Sequence, residues 1–189
     1  MSKIGALFGF LGGIPVRFAG RRLLAAVLTG MGLLLTPSGG AQAQEDPAFL
    51  SVGAGYFDWN RQKNEAAEFR LEYRDDHKLW IFRPLAGLMG TSDGSVYGFA
   101  GIGVDVFFGS RFVVTPSFAP GYYHQGNGLD LGYGLEFRSQ IEFAYRFDNR
   151  SRLGLAVSHM SNASLGDINP GTEAAIVYYS MPIDMIFRR

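Results

Sequence analysis

The chain has 189 residues, a length that suggests one domain. Its 17 basic and 17 acidic residues give a formal net charge of zero, so charge indicates neither nucleic acid nor an anionic surface as a partner. Cysteine is absent, which excludes a disulfide framework, thiolate catalysis and cysteine-ligated metal. The 26 glycines and 14% aromatic residues, interleaved through short apolar runs, are typical of a β-barrel.

The N-terminal segment predicts a secretory signal. Several basic residues are followed by an apolar run over 23–35, and Ala41-Gln42-Ala43 offers an A-x-A cleavage site. The run is shorter than the roughly 20 residues that a membrane-spanning helix needs, which makes a membrane anchor the weaker alternative. We therefore predict a cleaved signal peptide over residues 1–43 and a barrel domain over residues 44–189.

The remaining sequence alternates between apolar and polar residues, most clearly over 67–74 and 135–147. In the second segment the apolar parity is interrupted only by Ser139. Because strand side chains alternate between faces, each segment has one apolar and one charged face. The second segment is 13 residues long, whereas soluble strands average about 5–6 residues and membrane-barrel strands about 9–11. This pattern predicts an apolar outer wall around a polar lumen.

Eight such segments are predicted, at residues 49–57, 65–74, 79–88, 96–108, 111–122, 134–147, 152–162 and 173–183. Their connections alternate between tight turns (75–78, 109–110, 148–151) and longer loops (58–64, 89–95, 123–133, 163–172). An even number of strands joined in this way predicts an all-β fold, an eight-stranded antiparallel transmembrane β-barrel of a Gram-negative outer membrane. The interior should be packed with side chains, since eight strands leave no pore. Pro84, Pro116, Pro120 and Pro182 fall inside these strands and indicate bulges or strand ends.

Three polar residues continue lipid-facing rows of the last two strands. In strand seven, Leu153, Leu155 and Val157 share a parity with His159 and Ser161. In strand eight, Glu173 heads the row that continues through Ala175 and Val177. Ionisable groups are costly on this face, so their presence there needs an explanation.

These residue types suit acyl transfer. Residues i and i+2 of a strand share a face about 6.5–7 Å apart, and a neighbouring strand brings Cβ atoms to about 4.5–5.5 Å. Ser161 is the predicted nucleophile, His159 its base and Glu173 the acid that orients the imidazole. Asn162, Asn169 and the backbone amides of 163–166 are candidate oxyanion donors, and Asp167 is a rival acid.

Simpler interpretations exist for the same residues. The three polar groups could merely mark strand ends at the lipid headgroups, where ionisable side chains cost less. His77 lies among charged residues in a turn and is predicted to be solvated. His124 is predicted to anchor at the membrane interface or to pack in a loop, with a substrate contact as a further alternative. The three histidines lack a metal-ligand spacing, and neither a metal nor a cofactor is expected.

Residues 159–163, His-Met-Ser-Asn-Ala, and residues 169–173, Asn-Pro-Gly-Thr-Glu, resemble the signature of the lipid A 3-O-deacylase family (PagL-type). Weaker similarity extends to residues 55–58 and 72–74. The resemblance implies an outer-membrane barrel that hydrolyses the ester-linked acyl chain at position 3 of lipid A in the outer leaflet. It also implies the His159, Ser161 and Glu173 triad, with Asn169 as an oxyanion donor. Ser164 departs from the pattern, which has glycine there.

Two other functions remain open at this stage. One is an esterase acting on another membrane lipid, such as a phospholipase, and the other is a non-catalytic structural barrel. The expected partners are lipid A or lipopolysaccharide and outer-membrane lipids, without nucleic acid. A homodimer packed through lipid-facing rows is left open. A structural barrel would leave polar residues on the outer wall unexplained, which favours the enzyme.

Overall fold

A computed structural model describes residues 46–187, and the predicted signal peptide lies outside them. These residues form nine strands and one short helical turn, Ile183–Phe187. The strands are β1 (Phe49–Phe57), β2 (Ala66–Arg74), β3 (Arg83–Thr91), β4 (Val96–Gly103), β5 (Val106–Phe108), β6 (Phe112–His124), β7 (Leu135–Arg146), β8 (Arg152–Ser161) and β9 (Thr172–Pro182). No helix among residues 46–187 is long and apolar enough to cross a membrane.

The strands close into one antiparallel barrel. β1 pairs with both β2 and β9, and the sheet is completed by pairing of β4 with β6. β4 and β5 are two halves of a single strand, because both pair with β6 in one continuous register. The gap between them lies opposite Pro116, which has no N–H to donate but accepts a bond from Val104 N at 3.0 Å. The predicted eight-stranded barrel is therefore confirmed.

The connections divide between the two ends of the barrel. Loops 58–65, 92–95, 125–134 and 162–171 meet at one end, here called the loop end, and the others meet at the turn end. The prediction of strand three at 79–88 is wrong. Leu79 and Phe82 instead close a tight turn around Trp80, whose φ is 64°, and β3 begins only at Arg83. The expected long loop at 89–95 is consequently a four-residue connection, 92–95.

The lumen is filled by buried charged side chains. Near the middle of the barrel, Arg74 pairs with Glu72 and Glu142, Arg138 pairs with Glu72, and Arg70 pairs with Glu68. At the turn end, Arg152 bonds both Asp46 and Asp105. Apolar residues, among them Phe57, Met160 and Ile176, fill the interior towards the loop end. The predicted packed lumen is confirmed, and buried charges of opposite sign form ion pairs inside the barrel.

The outer wall is apolar, as the period-2 pattern predicts. Leu153, Leu155 and Val157 of β8 are each 42% exposed or more, whereas the alternate positions of the strand are buried. The same alternation holds along β7, where exposed Phe143 faces Leu155 across the pair. The row that leads along β8 to His159 therefore lies on the outside of the barrel.

Candidate active site

His159 and Glu173 meet on the outer wall at the loop end. They are directly opposed residues of β8 and β9, so the register of this hairpin brings them together. His159 Nδ1 lies 3.1 Å from Glu173 Oε1. The His159 side chain is 47% exposed and that of Glu173 20%, as outward-pointing residues should be. The structure thus brings together two of the residues that residue type and strand parity placed at the candidate site.

Ser161 follows His159 by two positions and is half-buried on the same face of β8. Within residues 46–187, no hydrogen bond joins its hydroxyl to the imidazole. His159 and Ser161 are two residues apart on one strand face, and rotation about their χ angles can bring the Ser161 hydroxyl to the imidazole. Catalytic hydrogen bonds of unliganded enzymes are often longer than those with substrate bound.

Ser139 of β7 lies directly opposite His159 of β8. The sequence analysis does not predict it as a site residue. The sequence does carry a signal for it, since Ser139 is the one residue that breaks the apolar parity of its strand. Two serines, Ser139 on the neighbouring strand and Ser161 two residues along β8, are therefore close neighbours of His159 on the outer wall. This arrangement provides an internal comparison for any test of the nucleophile.

Asn162 holds the loop that follows Ser161. Asn162 is fully buried, and its Nδ2 donates to the carbonyls of Leu131 at 2.8 Å and Ile168 at 2.7 Å. The structure therefore corrects the expectation that this side chain binds an oxyanion, because both of its amide hydrogens already have acceptors. Its Oδ1 accepts the N–H of Ser164 at 2.9 Å, which makes Asn162 a support of the loop.

Asn169 keeps an available amide on this loop. Its Oδ1 accepts the N–H of Asn162 at 3.1 Å, which fixes the side chain, while its Nδ2 reaches only Ser164 Oγ at 3.5 Å. The N–H groups of Ser164 and Leu165 are bonded to Asn162. Within the predicted 163–166 stretch, the N–H groups of Ala163 and Gly166 have no acceptor among the described residues. Those two, with Asn169, are the donors that remain for an oxyanion.

The loop between β1 and β2 supplies the residues that sequence reasoning missed. Arg61 Nε and Nη2 donate to the two carboxylate oxygens of Glu173 at 3.2 and 3.3 Å. Trp59 N–H donates to the carbonyl of Glu173 at 3.3 Å. No local pattern could reveal this contact, because 112 residues separate Arg61 from Glu173.

A shallow groove of about 490 Å³ opens beside the imidazole. Its lining includes the apolar side chains of Ile141, Val157 and Trp59 together with His159 and Glu173. The groove offers an apolar surface next to a polar pair. That combination suits a substrate with an acyl chain and a hydrolysable head.

The other candidates from the sequence lie apart from this site. Asp167 is exposed in loop 162–171, and the acid that contacts the imidazole is Glu173. His77 is at the turn end, where its ring contacts Asp75 and Asp76 at 3.1 and 2.9 Å. A hydrogen bond from the His77 ring to the Asp75 carboxylate and the negative charge of Asp76 raise the pKa of His77 above its usual value. His124 is exposed at the end of β6.

Comparison with known proteins agrees with this geometry. The sequence profile of the family "Lipid A 3-O-deacylase (PagL)" matches residues 66–182. The lipid A deacylase PagL of Pseudomonas aeruginosa is 32% identical over 84 residues, which are 44% of this chain and 40% of that protein. The chain thus aligns with less than half the length of this curated relative.

A crystal structure of the outer membrane enzyme PagL matches the fold with a TM-score of 0.57 at 20% identity, covering 71% of this chain and 99% of that one. The closed barrel and its apolar outer wall are those of an outer-membrane β-barrel, as predicted. The family profile covers most of the barrel, from β2 to the end of β9. The chain belongs to the lipid A 3-O-deacylase family.

Proposed function

We propose that the chain is a serine esterase that removes the ester-linked acyl chain at position 3 of lipid A in the outer leaflet. The observation that carries the proposal is the 3.1 Å contact between His159 Nδ1 and Glu173 Oε1 on the outer wall. An imidazole whose Nδ1 is held by a carboxylate presents Nε2 as a base, which is what a serine nucleophile requires. Membership of the lipid A 3-O-deacylase family supports lipid A as the substrate.

The reaction proceeds in two steps. Ser161 Oγ attacks the ester carbonyl carbon while His159 Nε2 accepts the hydroxyl proton, and Glu173 stabilises the imidazolium. The tetrahedral intermediate collapses by breaking the bond to the sugar oxygen, which leaves with the proton from His159. Water, deprotonated by the same imidazole, then hydrolyses the acyl-serine and releases a fatty acid.

The negative oxygen of the tetrahedral intermediate needs hydrogen-bond donors that are already oriented. Asn169 Nδ2 and the N–H groups of Ala163 and Gly166 take this role, because the other N–H groups of 163–166, those of Ser164 and Leu165, are already bonded to Asn162. Asn162 acts indirectly by holding the loop through Leu131 and Ile168.

The position of the site explains how a lipid is reached. The ester of a membrane lipid lies near the boundary between headgroups and acyl chains, and His159 lies at the loop end of an otherwise apolar strand face. Lateral diffusion in the leaflet would bring the ester to the outer wall. A lumenal site would require the lipid to leave the bilayer, at the hydrophobic cost of exposing its chains.

Serine variants give the direct test. Ser161→Ala should abolish deacylation, whereas Ser139→Ala, which removes the other hydroxyl beside His159, should leave most activity. The readout is the mass of lipid A from cells that express each variant, with heat-modifiable electrophoretic mobility as the measure of barrel folding. Unchanged lipid A in cells with folded wild-type protein would overturn the deacylase proposal.

The same experiment separates the alternatives. Loss of activity in Ser139→Ala but not in Ser161→Ala would reassign the nucleophile. Release of fatty acid from phospholipid with lipid A left intact would identify a phospholipase, and no hydrolysis of either lipid would leave a structural barrel. A homodimer stays a prediction, tested by crosslinking in the membrane.

A further inference from the structure

We propose that Arg61 is a positioning residue of the reaction, one that fixes the carboxylate of Glu173 in the orientation that His159 requires. The inference rests on the proposed triad and adds a fourth residue, from a different part of the barrel. Arg61 donates from Nε and Nη2 to the two oxygens of Glu173, so it holds the plane of the carboxylate as well as its position.

The carboxylate needs such a constraint. Glu173 is the second residue of β9, and its side chain lies on the outer wall, where it stays 20% exposed. Its Oε1 accepts from both His159 Nδ1 and Arg61 Nη2, at 3.1 and 3.3 Å. Without Arg61, the imidazole would be the one remaining hydrogen-bond partner of the carboxylate among the described residues, and rotation about the Glu side-chain torsions would be less restricted.

The loop that carries Arg61 is itself anchored to the barrel. Asp58 is fully buried, and its Oδ2 accepts the N–H groups of Lys63 and Asn64 at 2.7 and 2.9 Å. Its Oδ1 accepts from Thr172 Oγ1 at 3.2 Å, next to Glu173 in sequence. Asp58 therefore connects loop 58–65 to the start of β9, and these hydrogen bonds restrain the backbone that carries Arg61.

Gly171 allows the close approach of the three side chains. A Cβ at this position would lie 3.1 Å from His159 Cε1 and 3.5 Å from Arg61 Nη2. The absence of a side chain there leaves room for the imidazole and the guanidinium on the same carboxylate.

Lys63 provides a matched control in the same loop. It is an exposed cation two residues beyond Arg61, and its side chain has no ion-pair partner among residues 46–187. Arg61→Gln and Lys63→Gln therefore remove one positive charge each from one loop, but only the first removes the contact with Glu173.

The test measures kcat and KM of the folded, full-length protein on lipid A in mixed detergent micelles. Arg61→Gln should lower kcat by about 10-fold to 100-fold with little change in KM, since misplaced catalytic groups and lost supporting contacts cost rates of this order. Arg61→Lys should recover part of the loss, and Lys63→Gln should match wild type. In the Glu173→Ala background, Arg61→Gln should cause no further loss.

Several results would overturn the proposal. A rise in KM with unchanged kcat would make Arg61 a substrate contact instead, and equal effects of Arg61→Gln and Lys63→Gln would reduce its role to general charge. Full additivity with Glu173→Ala would show that Arg61 does not act through that carboxylate. If Glu173→Ala alone were fully active, the triad itself would fail, which is a separate outcome.

Discussion

Replacing Ser164 by glycine should stabilise the barrel, although glycine usually destabilises a folded chain. Ser164 and Ala163 are the central residues of a turn closed by the bond from Leu165 N–H to the carbonyl of Asn162, at 3.0 Å. Their φ values are 64° and 54°. Two positive φ angles in succession characterise the type I′ turn, which favours Asn or Gly at these positions.

The expected magnitude follows from two opposing terms. A side chain in the left-handed region costs roughly 1–2 kcal/mol, which glycine would remove. Glycine adds about 0.5–1 kcal/mol of conformational entropy to the unfolded chain. Among the described residues, the Ser164 hydroxyl has one hydrogen-bond partner, Asn169 Nδ2, at the long distance of 3.5 Å. Ser164→Gly should therefore raise the free energy of unfolding by about 0.5–1 kcal/mol, the difference between these two terms.

Equilibrium urea unfolding of the lipid-folded barrel, followed by the fluorescence of its two tryptophans, measures this change. Ser110→Gly is the matched control, because Ser110 is exposed in a turn and does not have a positive φ. The control should be destabilised by about 0.5–1 kcal/mol, since only the entropy term acts on it. Equal destabilisation of both variants would refute the turn argument. Activity of Ser164→Gly should be retained, because the N–H that bonds Asn162 is unchanged.

Two further changes test the lumen and the site. Glu142→Ala leaves buried Arg74 with one acidic partner instead of two and should lower the free energy of unfolding by about 3 kcal/mol. Asp148→Ala, at the exposed pair with Arg111, should lower the free energy of unfolding by less than about 1 kcal/mol. Urea midpoints compare them, and similar values would contradict the buried-charge argument. Gly171→Ala adds left-handed strain and crowds His159, so deacylation measured in micelles should fall, while Gly94→Ala, with φ 86° and nothing within 4 Å, should stay active. Equal activity in the two glycine variants would show that the contact with the imidazole is unimportant.

Strand parity is where sequence reasoning was strongest. Because side chains in a strand alternate strictly, the apolar row through Leu155 and Val157 predicts that His159 and Ser161 lie on the outer wall, as they do. The same rule put Glu173 outward on the next strand. It failed for strand three, where Leu79, Trp80 and Phe82 read as apolar strand residues but lie in a turn.

The sequence by itself determined which face each residue of a strand occupies, and therefore that the polar groups lie among lipid-facing side chains. Only the tertiary structure decided which of them touch. The register of the β8–β9 hairpin places His159 opposite Glu173. The fold around loop 162–171 makes the amide of Asn162 donate to the carbonyls of Leu131 and Ile168, so that it is not available to substrate. The approach of Arg61 needed closure of the whole sheet, since β1 meets β9 only when the barrel forms. Periodicity is a local property of the chain, whereas contacts across a closed barrel depend on every register around it.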